Sequence, residues 1–200
     1  MQKRFITPED KFQYFFGYYD LQPYDETNEK HLVHRVKFLD REPTAEDIAE
    51  LGYVKDGTFF KISETTSWNF QQGSMMQWYA SQSVIFNDFD GKGYVSRIVG
   101  IDGKEIDEYD CPFATINFKS GKAVSVNFSR IYDFRRGYGY CNIPDPFANV
   151  NAPDDDGIFL VDLRTKEKKL LASYSVMKKA FEEKPFTDKK LVVNHITFNP

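Results

Sequence analysis

Residues 78–89, WYASQSVIFNDF, and residues 118–129, FKSGKAVSVNFS, align without a gap. Trp78 falls on Phe118, Val84 on Val124, Phe86 on Val126 and Asn87 on Asn127, an offset of 40 residues (118 against 78). Further on, VGIDGKE at 99–105 matches VDLRTKE at 161–167 with an offset of 62 (161 against 99). The later copy therefore carries an insertion between its halves. Repeats of roughly 40 residues made of short strands are the signature of propeller blades.

Working outward from that match, segments rich in β-branched and aromatic residues and bounded by Gly, Asp, Asn and Ser give three sets of four strands, A to D. The first set is expected at 13–19, 31–38, 58–63 and 65–68. The second is expected at 75–79, 83–87, 94–101 and 104–109, and the third at 114–118, 123–128, 158–163 and 168–173. Asp102-Gly103 and Ser120-Gly121 supply hairpin turns. Residues 194–200, NHITFNP, read as the first strand of a further copy. The expected fold is all-β with two short inserted helices: a single domain over 1–200 forming a partial β-propeller of about three four-stranded antiparallel blades. The blades span 12–70, 73–110 and 113–174.

The two helices are expected at 45–51 and 176–183. Thr44 with Asp47 three residues on resembles a capping box, and Gly52 marks a stop. Ser175 caps the second helix, which Pro185 closes. Residues 136–156 are rich in Gly, Pro, Asn and Asp but also carry Tyr138, Tyr140 and Phe147, so they read as a long ordered loop.

Composition bounds the function classes. The chain is 41% hydrophobic and 16% aromatic, which argues against disorder. A net charge of −4 argues against a broad nucleic-acid footprint. Cys111 and Cys141 have neither CxxC spacing nor a histidine cluster, and read as reduced structural thiols. The first residues, MQKRFITPEDKF, lack the apolar core of a signal peptide, and no apolar run approaches a bilayer span. A cytoplasmic protein without membrane contact is expected.

Strand parity says where binding belongs. D–A and B–C connections fall at one end of the sheets, A–B and C–D connections at the other. The first group is long or chemically rich, and loops grouped on a rigid scaffold are where binding usually lives. The candidates there are His34, Arg35, Trp68, Gln71, Gln72, Asn87, Asp88, Asn127, Arg130, Tyr138, Tyr140 and His195, with Arg135, Arg136 and Asn194 nearby. Amides satisfy hydroxyls, a guanidinium forks onto a carboxylate, and rings cover apolar sugar faces. Each has a plain structural counterpart: turn satisfaction for Asn87 and Asp88, sheet packing for Trp68, loop anchoring for Tyr138 and Tyr140.

The pieces GSMMQW, SVIFNDF, IDGKE, GIFLVDLRTKEKKLL and NHITFNP resemble the WD40-like propeller repeats of oligogalacturonate lyase and its relatives, over about residues 12–200. Such propellers have more blades than three, so the resemblance implies the N-terminal half of a longer protein, with self-association through open blade faces. It also implies a divalent metal held by histidines near the inner strands and puts His195 at such a place. Imidazole suits a transition metal. Against this stands a structural role for His195, bonded to a neighbouring loop. No GxSxG, Walker or HExxH motif is present, and no acid/base pair is marked by spacing. Two functions remain in view: a propeller of carbohydrate metabolism that binds an acidic glycan, with catalysis left open, and a non-catalytic scaffold that binds a protein.

Overall fold

Strand β6 (Ser83–Phe89, SVIFNDF) is the middle of the molecule because both of its faces are apolar. Val84 and Phe86 point one way and Ile85 the other, as the two-residue period of a strand requires. A computed structural model, describing residues 6–180 and 189–199, shows what covers each face. Val84 and Phe86 pack with Leu32, Leu51 and Ile62 of the first sheet. Ile85 packs with Ala123 and Val161 of the third. Burying each such side chain contributes about 1.5–3 kcal/mol.

There are three four-stranded antiparallel sheets, each a meander in chain order. The first holds β1 (Gln13–Phe15), β2 (His31–Val36), β3 (Ala49–Lys55) and β4 (Thr58–Thr65). The second holds β5 (Gln77–Ala80), β6, β7 (Tyr94–Gly100) and β8 (Glu105–Tyr109). The third holds β9 (Thr115–Asn117), β10 (Lys122–Ser125), β11 (Gly157–Asp162) and β12 (Lys168–Ser173). Helices α1 (Phe128–Phe134) and α2 (Tyr174–Lys179) come after β10 and β12.

Several expectations are corrected. The helix expected at 45–51 is absent, and residues 49–55 form β3, the third strand of its sheet. The local signal is real but short: the Thr44 N–H and hydroxyl both donate to the Asp47 carboxylate, closing one turn. Pairing of β3 with both β2 and β4 then overrides helix propensity. Gly52, read as a stop, lies inside the strand; a Cβ there would fall 2.2 Å from the Phe60 carbonyl oxygen and 2.7 Å from the Phe59 ring. Residues 58–65 are consequently the fourth strand, and 66–68 lie outside the sheet.

In the third sheet the second strand ends at Ser125, and residues 128–134, expected to belong partly to it, wind into α1. Asn127 caps that helix, its side chain accepting from Arg130 N–H. The repeat itself holds in the second strands but slips in the first. Val84 faces Trp78, whereas Val124 faces Thr115, so Phe118 lies in the turn rather than opposite Val124. Val124 faces Leu160 where Val84 faces Val99, one residue from the sequence match. Helix α2 starts earlier than expected, capped by Ser173 instead of Ser175, and 181–183 lie outside the described residues. Residues 194–199 form no strand, and Pro200 lies outside the described residues. Val192, Val193, Ile196 and Phe198 instead pack, as Ile158 and Leu160 do, against the buried cluster that includes Val124 of the third sheet. Both cysteines are free.

Candidate functional site

Residues 37–48, 66–76, 110–114 and 126–156 connect strands at one end of the three sheets. Most of the candidates at this end are consumed by the fold. His34 is wholly buried and stacks on Phe15 at 4.9 Å. Its Nε2 accepts the Ser74 N–H at 2.9 Å, which puts the proton of the neutral ring on Nδ1, an atom without a partner. Burial pushes its pKa down to about 4. Trp68 packs among Phe15, Phe38 and Phe70 and donates its indole N–H to the Asp47 carbonyl at 2.7 Å. Asp88 accepts from Thr65 and Arg97.

The two arginines expected to meet a ligand carboxylate are occupied. Arg130 is fully buried. Its Nε donates to the Leu191 carbonyl, Nη1 to Asp145 Oδ2 and the Phe147 carbonyl, and Nη2 to the carbonyls of Val150 and Asn151. That uses all five guanidinium N–H groups. Arg35 lies between the rings of Phe12 and Phe59, at 4.3 and 4.2 Å, and is forked onto Glu50. Asn87 and Asn127 are hubs of internal hydrogen bonds, and Tyr140 is buried flat against Phe128 at 4.5 Å with its hydroxyl accepting from Asn87.

Gln71, Gln72, Tyr138 and His195 are the candidates that the structure gathers. Gln72 is the link between them: its Oε1 accepts the Gly139 N–H at 3.2 Å and its Nε2 donates to Asn194 Oδ1 at 3.4 Å. The stretch RRGYGY (135–140) can lie this close because Gly139 has no Cβ. One would fall 2.2 Å from the Phe128 carbonyl oxygen, and its φ of +69° also suits glycine. The Tyr138 ring meets His195 edge to face at 5.5 Å, and the Arg135 guanidinium lies 4.5 Å over the same ring. The Tyr138 hydroxyl makes a long contact of 3.5 Å to Gln71 Oε1.

Tyr18 and Tyr19 complete the group and are hidden in the sequence, where 13–19 reads as one strand. The strand stops at Phe15, and Gly17 in QYFFGYYD is the signal for the break. Tyr18 shares a 3.0 Å hydrogen bond with His195 Nδ1, and its ring and that of Tyr19 lie 5.9 and 6.3 Å from the imidazole. Tyr19 is 77% exposed. Burial pushes the Tyr18 hydroxyl well above its ordinary pKa, so it stays protonated. The neighbours of His195 are thus rings and amides. Among the described residues no group of three or more His, Cys, Asp and Glu is placed to hold a metal, and His31 and His34 belong to the first sheet.

Among the described residues no helix is long and apolar enough to cross a membrane. Comparison with protein-family models, with curated proteins and with solved structures found no match.

Proposed function

We propose that the three sheets are successive blades of a β-propeller-like module, and that its loop-bearing end binds an acidic glycan as part of carbohydrate metabolism. The observation that carries this reading is the arrangement of exposed Tyr19 and Arg135 with half-buried Tyr138 beside the Gln71 amide. Arg135 is exposed, and no carboxylate of the described residues pairs with it. Stacked on Tyr138, its fork is held ready for a carboxylate while the rings offer apolar faces to a sugar. Arg135 thereby takes the part that Arg130 and Arg35 cannot.

The test is calorimetric titration of the protein with a uronate oligosaccharide and its neutral counterpart. Arg135→Lys keeps the charge and loses the fork, so it is expected to weaken uronate binding about tenfold, near 1.4 kcal/mol, and the neutral sugar less. Tyr138→Ala should weaken both. Equal losses in Arg135→Lys, or no binding of either sugar by the wild type, would reject the glycan reading.

A further inference from the structure

At the opposite end, the turns joining first to second strands converge on a cavity of about 290 Å³. Four aromatic residues line it, Tyr24, Trp78, Tyr79 and Phe118, together with Asp25 and Glu26. They come from three local departures. Tyr24 belongs to the long connection between β1 and β2. Trp78 and Tyr79 are neighbours in β5 and would ordinarily face opposite sides, but the register shifts between Trp78 and Ala80. Tyr79 is the extra residue of that bulge, which lets both rings reach one cavity. Phe118 is the residue that slips out of β9 into the turn, where it is 46% exposed and meets Tyr79 at 5.7 Å and 75°. The Trp78 indole is fixed by its N–H donating to the Pro23 carbonyl at 3.0 Å.

We propose that this cavity binds a quaternary ammonium group. The negative faces of aromatic rings attract a cation that carries no N–H to satisfy, and the attraction grows as the site is desolvated. No Lys or Arg of the described residues lies over any of these four rings, although such pairs occur elsewhere in the chain. The carboxylates divide their labour. Asp25 is spent on the loop, accepting from Thr27, Glu29 and Lys30. Glu26 is exposed, makes no hydrogen bond or ion pair among the described residues, and is free to balance the ligand's charge. None of its lining residues belongs to the glycan surface, and the proposal does not depend on that reading.

The decisive comparison is choline against its neutral isostere 3,3-dimethylbutan-1-ol, followed by tryptophan fluorescence and by calorimetry on the whole chain. Choline is expected to bind about tenfold or more tightly than the alcohol. A blocked peptide carrying trimethyllysine, against the same peptide with norleucine, tells whether the ammonium comes from a free amine or from a protein side chain. Glu26→Gln and Phe118→Leu alter exposed side chains, and each should weaken choline binding by about threefold to tenfold with the circular dichroism spectrum unchanged. Equal binding of choline and the alcohol would make the cavity merely apolar and overturn the proposal. Failure of both choline and the trimethyllysine peptide to bind would overturn it as well.

Discussion

Asn87 and Asn127, 40 residues apart, are matching hubs near the ends of the second strands of neighbouring sheets. The Asn87 amide donates to the Phe113 carbonyl and the Tyr140 hydroxyl, and its Oδ1 accepts from Ser96 and from the Phe113 N–H. Asn127 accepts from the Arg130 N–H and donates to Asp145 and Asp156. Each therefore fixes its own strand to a loop at the same end of the sheets, and through it to the candidate site.

Asn87→Ala should destabilise the protein by about 2–4 kcal/mol. The residue is 1% exposed, and its loss strands several buried partners at once, each costing about 1–3 kcal/mol with partial relaxation. Urea unfolding measures the change, and a loss under about 1 kcal/mol would show that the hub is dispensable.

Arg130→Met should cost about 3–5 kcal/mol, because it leaves Asp145 buried and removes the donors that gather four backbone carbonyls. Lys190, 3.2 Å from Asp145, sets the lower end of that range. Since Arg130 also holds the Leu191 carbonyl, amide exchange at Val193 should quicken in this variant. Unchanged exchange at Val193 would mean that the other contacts of 189–199, among them the Val193 N–H to the Tyr174 hydroxyl, hold the segment without Arg130.

Much of this end of the molecule is legible in the sequence, and the reasons for the failures are specific. The second strands align because alternating apolar residues are buried on both faces of each, a demand that local sequence records: β6 lies between the first and third sheets, and β10 between the second sheet and a cluster packed by Val192, Val193, Ile196 and Phe198. The turn at Thr44–Asp47 is legible too, but the conformation of 49–55 is decided by β2 and β4, through pairing that the local sequence does not display. Arg130 and Asn127 stand out in the sequence as polar residues at a strand end. Whether such a residue serves a ligand or its own fold depends on carbonyls supplied by 147–151 and 191, which no spacing announces. Tyr18 and Tyr19 escape the sequence reading because the strand ends before them, at Phe15, and Gly17 is the one residue that marks the break.

Stability should fall as the pH drops from about 6.5 to about 4, through His34. Its folded pKa is depressed to about 4 from 6.5, so in that window the unfolded chain binds the extra proton. A shift of this size corresponds to on the order of 3 kcal/mol, fully lost below pH 4. Burial works to raise the Asp25 carboxyl, but donors from Lys30, Thr27 and Glu29 outweigh it and hold it down to about 2, so Asp25 loses its contribution in a lower window. His31 shifts in the same direction as His34, again through burial. The difference between wild type and His34→Gln isolates the one residue: Gln can still accept the Ser74 N–H but does not titrate. Parallel curves of unfolding free energy against pH for the two proteins would contradict the assignment.

Gln72→Leu should loosen the candidate site without dismantling the sheets. Gln72 is 4% exposed and joins 69–73 to Gly139 and to Asn194, so its amide ties together three segments that lie far apart in sequence. Leucine fills a similar volume and leaves the Gly139 N–H without its acceptor, costing about 1–3 kcal/mol. The Gly139 carbonyl remains held by Asn69, which is why the loop should slacken rather than detach. The Tyr138 ring lies edge to face on His195, so slackening alters the ring current at the imidazole. The expected result is a change in the His195 side-chain proton resonances, with the resonances of Val84, Ile85 and Phe86 in the central strand unmoved. Movement of both sets would mean that Gln72 supports the core, and movement of neither would mean that Tyr138 and His195 are held together by Tyr18 and Asn194 without it.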